Sequence, residues 1–141
     1  MRRIALPLVL GALGLAGCGS TVEGTITIDG QAAIIDRCES AEPRGFDGVD
    51  IVTDDERFIR LLRDTRGESI VQVVFFDAGK DTGPRLGDCA VGTIRDTSTT
   101  INGVKALDGE ATLNCDHAYT DQNMVEQRIT IVGDVTFDNC H

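Results

Sequence analysis

The chain is 141 residues long and acidic, with 23 Asp and Glu residues against 13 Lys and Arg and a net charge of −10. A surface with this charge repels phosphate backbones, which argues against nucleic acid as a partner. Aromatic residues make up 4% of the chain and none is tryptophan, so a carbohydrate-binding module that stacks rings on sugars is disfavoured. The length suits one ordinary domain.

Residues 1–17 have the layout of a secretory signal peptide. Arg2 and Arg3 supply a positive start, and a mostly apolar run extends from Ile4 to Ala16. This run is too short to cross a bilayer as a helix. It ends in Leu15-Ala16-Gly17-Cys18, small residues followed by cysteine, which resembles the lipobox of bacterial lipoprotein precursors.

The lipobox resemblance implies a lipid on Cys18, a diacylglyceryl group in thioether linkage, and cleavage of the chain after Gly17. Two or more acyl chains make such an attachment stable, since each buried methylene contributes roughly 0.8 kcal/mol. We therefore expect residues 1–17 to be removed, residues 18–23 to form a lipid-anchored tether, and residues 24–141 to form a single domain.

The first half of the mature chain predicts short strands separated by turns. Residues 25–28 alternate polar and apolar side chains, and Asp29-Gly30 is a turn that would join them to a second strand from Gln31 to Asp36. Residues 49–53 are a further short strand candidate. Together these segments indicate an antiparallel β structure.

The segment 54–64 allows two interpretations. Phe58 and Leu62 recur at a helical interval, which predicts one short helix. A turn at Asp54-Asp55 followed by a strand from Arg57 to Arg63 fits equally well, because a β-rich neighbourhood often overrides local pattern. Both interpretations stay open on the sequence.

The second half of the chain has the clearest strand signals. Residues 70–76 form a continuous apolar run that predicts a central strand buried on both faces. Asn102-Gly103 is a strong hairpin signal, with Asp108-Gly109 as a competing turn. In the Asn102-Gly103 register Ala90 stands opposite Cys115, and the apolar residues of both strands share one face.

The last strand candidate completes an all-β pattern. Ile129, Ile131, Val135 and Phe137 keep a strict period of two, as in a long strand with one solvated face. Helix signals are few and glycine occurs 16 times. We predict an all-β, mainly antiparallel fold, a β-sandwich or related barrel of about eight or nine strands, with at most one short helix near 54–64.

Cysteine usage indicates disulfide bonds. Of five cysteines, Cys18 is assigned to the lipid, which leaves Cys38, Cys89, Cys115 and Cys140. An even number in an exported chain predicts two disulfides. The hairpin register brings Cys89 within one residue of alignment with Cys115, which favours this pair and leaves Cys38 with Cys140. Sequential pairing is the alternative.

The sequence carries no motif for catalysis or for a resident metal. It has neither a Gly-x-Ser-x-Gly elbow nor a Cys-x-x-Cys pair, and Cys115-Asp116-His117 with Cys140-His141 matches no zinc spacing. We expect no catalytic residue, no metal and no cofactor.

Loop carboxylates support a competing hypothesis. Calcium takes six to eight oxygen ligands and tolerates irregular loops. An envelope enzyme or a calcium-dependent binding protein could therefore use the loops 77–88 or 116–126. Three groups of aspartates could supply carboxylate oxygens: Asp47, Asp50, Asp54 and Asp55; Asp77, Asp81 and Asp88; and Asp116 with Asp121.

Two aromatic residues lie in predicted loops, where a ring either anchors an interaction or, more commonly, folds back onto the core. Phe46 and Tyr119 would serve as anchors if their rings are exposed. We expect a non-catalytic binding or scaffolding domain of the bacterial cell envelope, held to the membrane through Cys18 and acting with an envelope protein partner. Gly19 stands where aspartate retains enterobacterial lipoproteins at the inner membrane, so by analogy we expect the outer membrane.

Overall fold

A computed structural model describes residues 19–141, so the signal peptide predicted for residues 1–17 and the lipidation site predicted at Cys18 lie outside the described residues. Within that range the chain forms two five-stranded antiparallel sheets that enclose one hydrophobic core. The elements are β1 (Thr21–Ile28), β2 (Gln31–Ala33), β3 (Ile35–Ser40), a 3₁₀ turn (Glu42–Arg44), β4 (Gly48–Thr53), β5 (Phe58–Arg63), β6 (Ile70–Phe76), β7 (Arg85–Gly87), β8 (Ala90–Ile101), β9 (Val104–Thr120) and β10 (Glu126–Cys140).

The two sheets confirm the predicted β-sandwich. Sheet I has the strand order β2-β1-β10-β9-β8, and sheet II has the order β3-β4-β5-β6-β7. The strands number ten across residues 19–141, slightly more than predicted, because short edge strands flank the long ones. No helix in the same range is long and apolar enough to cross a membrane.

The start of the domain differs from its predicted bounds. Strand β1 begins at Thr21 and so takes in residues 21–23, which we assigned to the tether. The turn at Asp29-Gly30 is present, but β2 ends at Ala33 and the chain then crosses to sheet II. The strand predicted from Gln31 to Asp36 is therefore two strands in different sheets.

The helix considered for 54–64 is absent, and that interpretation is wrong. Residues 54–56 form a turn, and β5 follows from Phe58 to Arg63. Glu56 has a φ of 65°, a left-handed conformation that a helix cannot contain. In β5 the side chains of Ile59 and Leu61 are fully buried. The pairing of β5 with β4 on one side and β6 on the other therefore decides the conformation of this segment.

Strand β6 lies inside sheet II, between β5 and the short edge strand β7. Its residues from Val73 to Phe76 are buried, as predicted for a strand covered on both faces. Val71 near its start is 45% exposed and lies where the register between β5 and β6 shifts, with Leu62 paired to Gln72 and Arg63 to Ile70.

The hairpin at Asn102-Gly103 is present, but its predicted register is wrong by two residues. Residues 97–99 of β8 bulge opposite a single residue of β9, with Asp96 paired to Leu107 and Thr100 to Lys105. Ala90 therefore stands opposite Leu113, not Cys115. A shift of two residues keeps every side chain on its predicted face.

Two disulfides bind the sandwich together, in the pairing that the sequence favoured. Cys38 of β3 is bonded to Cys140 of β10, which links sheet II to sheet I across 102 residues of sequence. Cys89 is bonded to Cys115 within sheet I, at a separation of 26 residues. Each closes a loop in the unfolded chain, worth about 3 to 5 kcal/mol at these lengths in the chain-entropy model.

Phe137 of β10 fills the space that Gly109 of β9 leaves empty. The two residues are paired across the strands, and a Cβ atom at Gly109 would lie 2.7 Å from the ring of Phe137. Asp108-Gly109 is thus part of a continuous strand, and the turn considered there is not formed. Glycine is required at this position for space.

Strand directions define two ends of the sandwich. We name the end where β1 begins, near the Asn102-Gly103 turn and the last residues of β10, the anchor end. The opposite end carries the turns at 29–30, 54–57 and 121–125, and we name it the distal end. A tether that leads into Thr21 enters at the anchor end.

Candidate functional site

The aspartates that the sequence grouped as possible cation ligands are mostly bonded to other residues of the protein. Asp47 bonds Arg63 at 2.8 Å, and Asp116 bonds Arg128 at 2.7 Å. The Arg128 guanidinium lowers the pKa of Asp116. Across residues 19–141, no group of three or more His, Cys, Asp or Glu side chains is placed to hold a metal ion.

The outer face of sheet II carries an aromatic and arginine cluster. Because Ile59 and Leu61 of β5 point into the core, Phe58, Arg60 and Leu62 point outward. Cross-strand pairing places Arg60 between Asp50 and Val74, and Phe58 between Val52 and Phe76. We name the surface formed by Phe46, Phe58, Arg60, Val74 and Phe76 the Phe46 face.

An ion pair lies buried at the centre of the Phe46 face. Arg60 donates to Asp50 from Nε at 2.8 Å and from Nη2 at 3.0 Å. Arg60 is 4% exposed and Asp50 is 1% exposed, although both lie on the side of the sheet that faces away from the core. Arg44 adds a hydrogen bond to the same carboxylate at 2.9 Å. Such burial requires a cover over the sheet.

Phe46 supplies part of that cover. The 3₁₀ turn ends at Gly45, whose left-handed φ of 85° redirects the chain, and the Phe46 amide donates to the carbonyl oxygen of Ala41 at 3.2 Å. The Arg60 guanidinium carbon then lies 4.4 Å from the centre of the Phe46 ring. Phe46 itself remains 42% exposed.

The other aromatic rings of the face are preorganised. Phe58 and Phe76 stack with ring centres 4.2 Å apart and planes 8° apart. The Arg60 guanidinium carbon lies 4.9 Å from the Phe76 ring centre and 5.5 Å from that of Phe58. Cations over aromatic faces are attracted by the ring quadrupole, so these contacts stabilise the arrangement of the rings around Arg60.

Two recesses open beside Phe46. One has a volume of about 360 Å³ and lies toward Phe58 and Lys80, and the other has about 200 Å³ and lies toward Leu62 and Arg85. Lys80 and Arg85 form no ion pair within the described part of the chain. Asp81 lines both recesses and offsets one of these positive charges. The face is locally cationic on an acidic protein.

A separate cavity of about 400 Å³ lies at the distal end. The loops 77–84 and 119–123 form it, so the two loops in which carboxylate chemistry was considered do meet. Asp77, Tyr119 and Asp121 line the cavity together with Lys80. Burial raises the pKa of Tyr119, and the charges of Asp77, Asp121 and Asp29 raise it further.

Asp121 mainly organises its own loop. Its carboxylate accepts from the amides of Asn123 and Val125, each at 2.9 Å, and from the Gln127 side chain at 3.1 Å. The bond from the Val125 amide, followed by that from Gln127, lowers the pKa of Asp121. A carboxyl group held ionised in this way is a poor proton donor near neutral pH.

Known proteins give no assignment. Comparison with protein-family models, with curated proteins and with solved structures found no match to the chain.

The structure separates the two loop aromatics that the sequence singled out. Phe46 lies half over a buried ion pair, whereas Tyr119 packs partly against the core. The sequence did not indicate a role for Arg60 in the site, because that role depends on a strand at 57–63. Once that strand is chosen, the alternation of Phe58, Arg60 and Leu62 would have placed all three on one face.

Proposed function

We propose that the protein is a lipid-anchored, non-catalytic binding protein of the bacterial cell envelope that engages an envelope protein through the Phe46 face. Leu15-Ala16-Gly17-Cys18 supports the anchor, and Gly19 supports the outer membrane by analogy. Because β1 starts at Thr21, the tether is short and the anchor end would face the lipid. The two disulfides suit an oxidising compartment.

The exposed ring of Phe46 is the observation that carries the binding proposal. Binding energy at protein interfaces concentrates in aromatic and arginine residues that sit in well-packed surroundings. Phe46 and Arg60 meet this description, because the ring is exposed on one side and rests against a fixed guanidinium on the other. No fully buried side-chain nitrogen or oxygen in residues 19–141 lacks a hydrogen bond, so the face keeps its buried polar groups paired before a partner binds.

Cross-linking in intact cells tests the binding proposal. A single partner should be recovered with the wild-type protein and lost with Phe46→Ala, which removes a ring worth about 2 kcal/mol or more if it is an anchor. Val91→Ala is the matched control, because Val91 is 78% exposed on the opposite sheet. Equal recovery with both variants would show that the Phe46 face is not the interface.

Mass spectrometry of the mature protein tests the anchor separately. We expect a chain that begins at Cys18 and carries an acyl mass, and Cys18→Ser should release the protein from the membrane fraction. A mature chain without acyl mass would refute lipidation and leave the binding proposal to be judged on its own.

The distal cavity supports a second proposal, carboxylate-dependent binding of a cation such as calcium. Its support is the meeting of Asp77 and Asp121 in one cavity, and a calcium ion there would take its remaining oxygen ligands from backbone carbonyls and water. Calcium added to the purified domain should then raise its melting temperature, and Asp77→Asn should abolish the rise. An unchanged melting temperature in millimolar calcium would remove this proposal.

A further inference from the structure

Arg60 has a hydrogen-bond donor group that the protein does not use. Its bonds to Asp50 engage Nε and Nη2, and Nη1 has no acceptor within residues 19–141. Every fully buried side-chain nitrogen in that range has a partner, so Nη1 retains access to solvent. The Arg60 side chain is only 5% exposed, and this access therefore runs through the two recesses that it lines.

The surroundings of Nη1 combine positive charge with aromatic carbon. Ring centres of Phe46 and Phe76 lie 4.4 Å and 4.9 Å from the guanidinium carbon. Lys80 and Arg85 add charge at the two rims, and Asp81 opposes them with one negative charge. An acceptor that reaches Nη1 must bring an apolar group with it to fill the space against the rings.

We propose that the recesses of the Phe46 face bind an apolar carboxylate, presented by the C-terminal residue of the envelope partner. This inference rests on the binding function proposed above. A C-terminal residue carries its carboxylate and its side chain on one carbon, which matches a guanidinium and rings less than 5 Å apart. Arginine bonds carboxylates with charge-assisted hydrogen bonds.

The size of the recesses supports a single residue as the occupant. Volumes of about 200 Å³ and 360 Å³ admit one or two side chains and exclude a helix laid along the sheet. An internal Asp or Glu side chain would bring the carboxylate without the apolar group. Free apolar acids share the same chemistry, and the experiment must separate them from a chain terminus.

Calorimetric titration of the purified domain compares three probes: the peptide acetyl-Ala-Ala-Phe, the same peptide with a C-terminal amide, and 3-phenylpropionate. We expect the peptide acid to bind and the peptide amide to bind at least about tenfold more weakly, because one charge-assisted hydrogen bond is lost. Equal binding of peptide acid and amide would overturn the proposal. Binding of 3-phenylpropionate as tight as that of the peptide acid would assign the site to free acids instead.

Variants locate the site within the same experiment. Phe46→Leu should weaken the peptide acid about tenfold by removing the ring, and Val91→Ala should leave its binding unchanged. Arg60→Lys keeps a charge beside Asp50 and should abolish the preference for acid over amide. The comparison of probes on the unaltered protein remains decisive if Arg60→Lys fails to fold. The two proposals can fail separately. If Phe46→Ala loses the cross-linked partner but the wild-type domain binds peptide acid and peptide amide equally, the binding function stands and the carboxylate site is refuted.

Discussion

Arg60 and Asp50 form two hydrogen bonds, of 2.8 Å and 3.0 Å, on the outer face of sheet II and are buried there beneath Phe46 and Arg44. Burying a charge pair is costly, and the attraction between its members offsets that cost only when the geometry is good. The intact pair therefore adds little net stability, but removal of one member alone is costly because the other charge stays buried without a partner.

Removal of one member of this pair should destabilise the fold strongly. We expect Asp50→Ala to lower the free energy of unfolding by about 3 to 5 kcal/mol, because it leaves the Arg60 charge buried without a partner. Urea denaturation measures the loss. The double variant Asp50→Leu, Arg60→Leu should recover most of it, and Asp116→Ala, which breaks an exposed pair, should change little. A double variant as unstable as the single one would contradict this account.

The two disulfides should differ in their contribution. Replacing Cys38 and Cys140 by alanine opens a loop of 102 residues, and replacing Cys89 and Cys115 opens one of 26 residues. In the chain-entropy model the first change costs about 1 kcal/mol more than the second. Thermal unfolding of the two variants under equal conditions gives the order. A reversed order would show that the entropy of the unfolded chain does not dominate.

A single methyl group at Gly109 should disturb the core. A Cβ there would overlap the carbonyl oxygen of Thr93 and lie 2.7 Å from the Phe137 ring. Gly109→Ala should lower stability by about 1 to 3 kcal/mol, the usual range for overpacking. Gly67→Ala is the control, because no atom lies within 4 Å of its Cβ position. Similar melting temperatures for the two variants would contradict the predicted clash.

The turn before β5 should show a depressed carboxyl pKa. The Thr53 hydroxyl and then the Arg57 guanidinium donate to Asp55, which lowers its pKa to about 2. This pKa is lower in the folded state than in the unfolded state, where the pKa of an aspartate is about 3.9. The stabilisation is thus present above about pH 4 and lost as the pH falls through about 2. An NMR titration should show the shift in the wild type and its reduction in Thr53→Val.

The spacing of apolar residues along the chain predicted the strands correctly where that spacing agrees with the pairing of strands in the sheets. In β10 the inward residues from Ile129 to Phe137 follow a strict alternation that only a half-buried strand satisfies. In β5 the two disagree, since a helical spacing of Phe58 and Leu62 competes with the pairing of β5 between β4 and β6. Sheet pairing over six residues outweighs a weak helical preference.

The disulfide pairing was predicted correctly from a register that is itself wrong. The bulge at 97–99 rests on Thr97, whose hydroxyl donates to the carbonyl oxygen of Ala106 at 3.0 Å and accepts from the Thr99 amide at 3.1 Å. Nothing in a run of threonines and serine signals this bulge. Cys89 is one residue from alignment with Cys115 in either register, so both registers favour the same pair.

The candidate site was only partly predictable. Phe46 stood out as an aromatic residue in a loop, but its contact with Arg60 requires the chain to fold back over sheet II at Gly45. The buried Asp50 looked like one more surface carboxylate, because sequence distance hides its partner ten residues away. A contact between single residues of two strands does not change the spacing of apolar residues in either strand, so the sequence pattern does not reveal it.

The pairing of β1 with β10 also determines how the domain would bear a mechanical load. All eight residues of β1, from Thr21 to Ile28, pair with β10, so a pull on the preceding residue directed along β1 would act parallel to both strands. These bonds would be strained together in shear instead of opening one after another. Cys140, near the end of β10, passes the load through its disulfide to Cys38 in the other sheet. Tension applied where the chain enters the sandwich is thereby shared by both sheets from the outset.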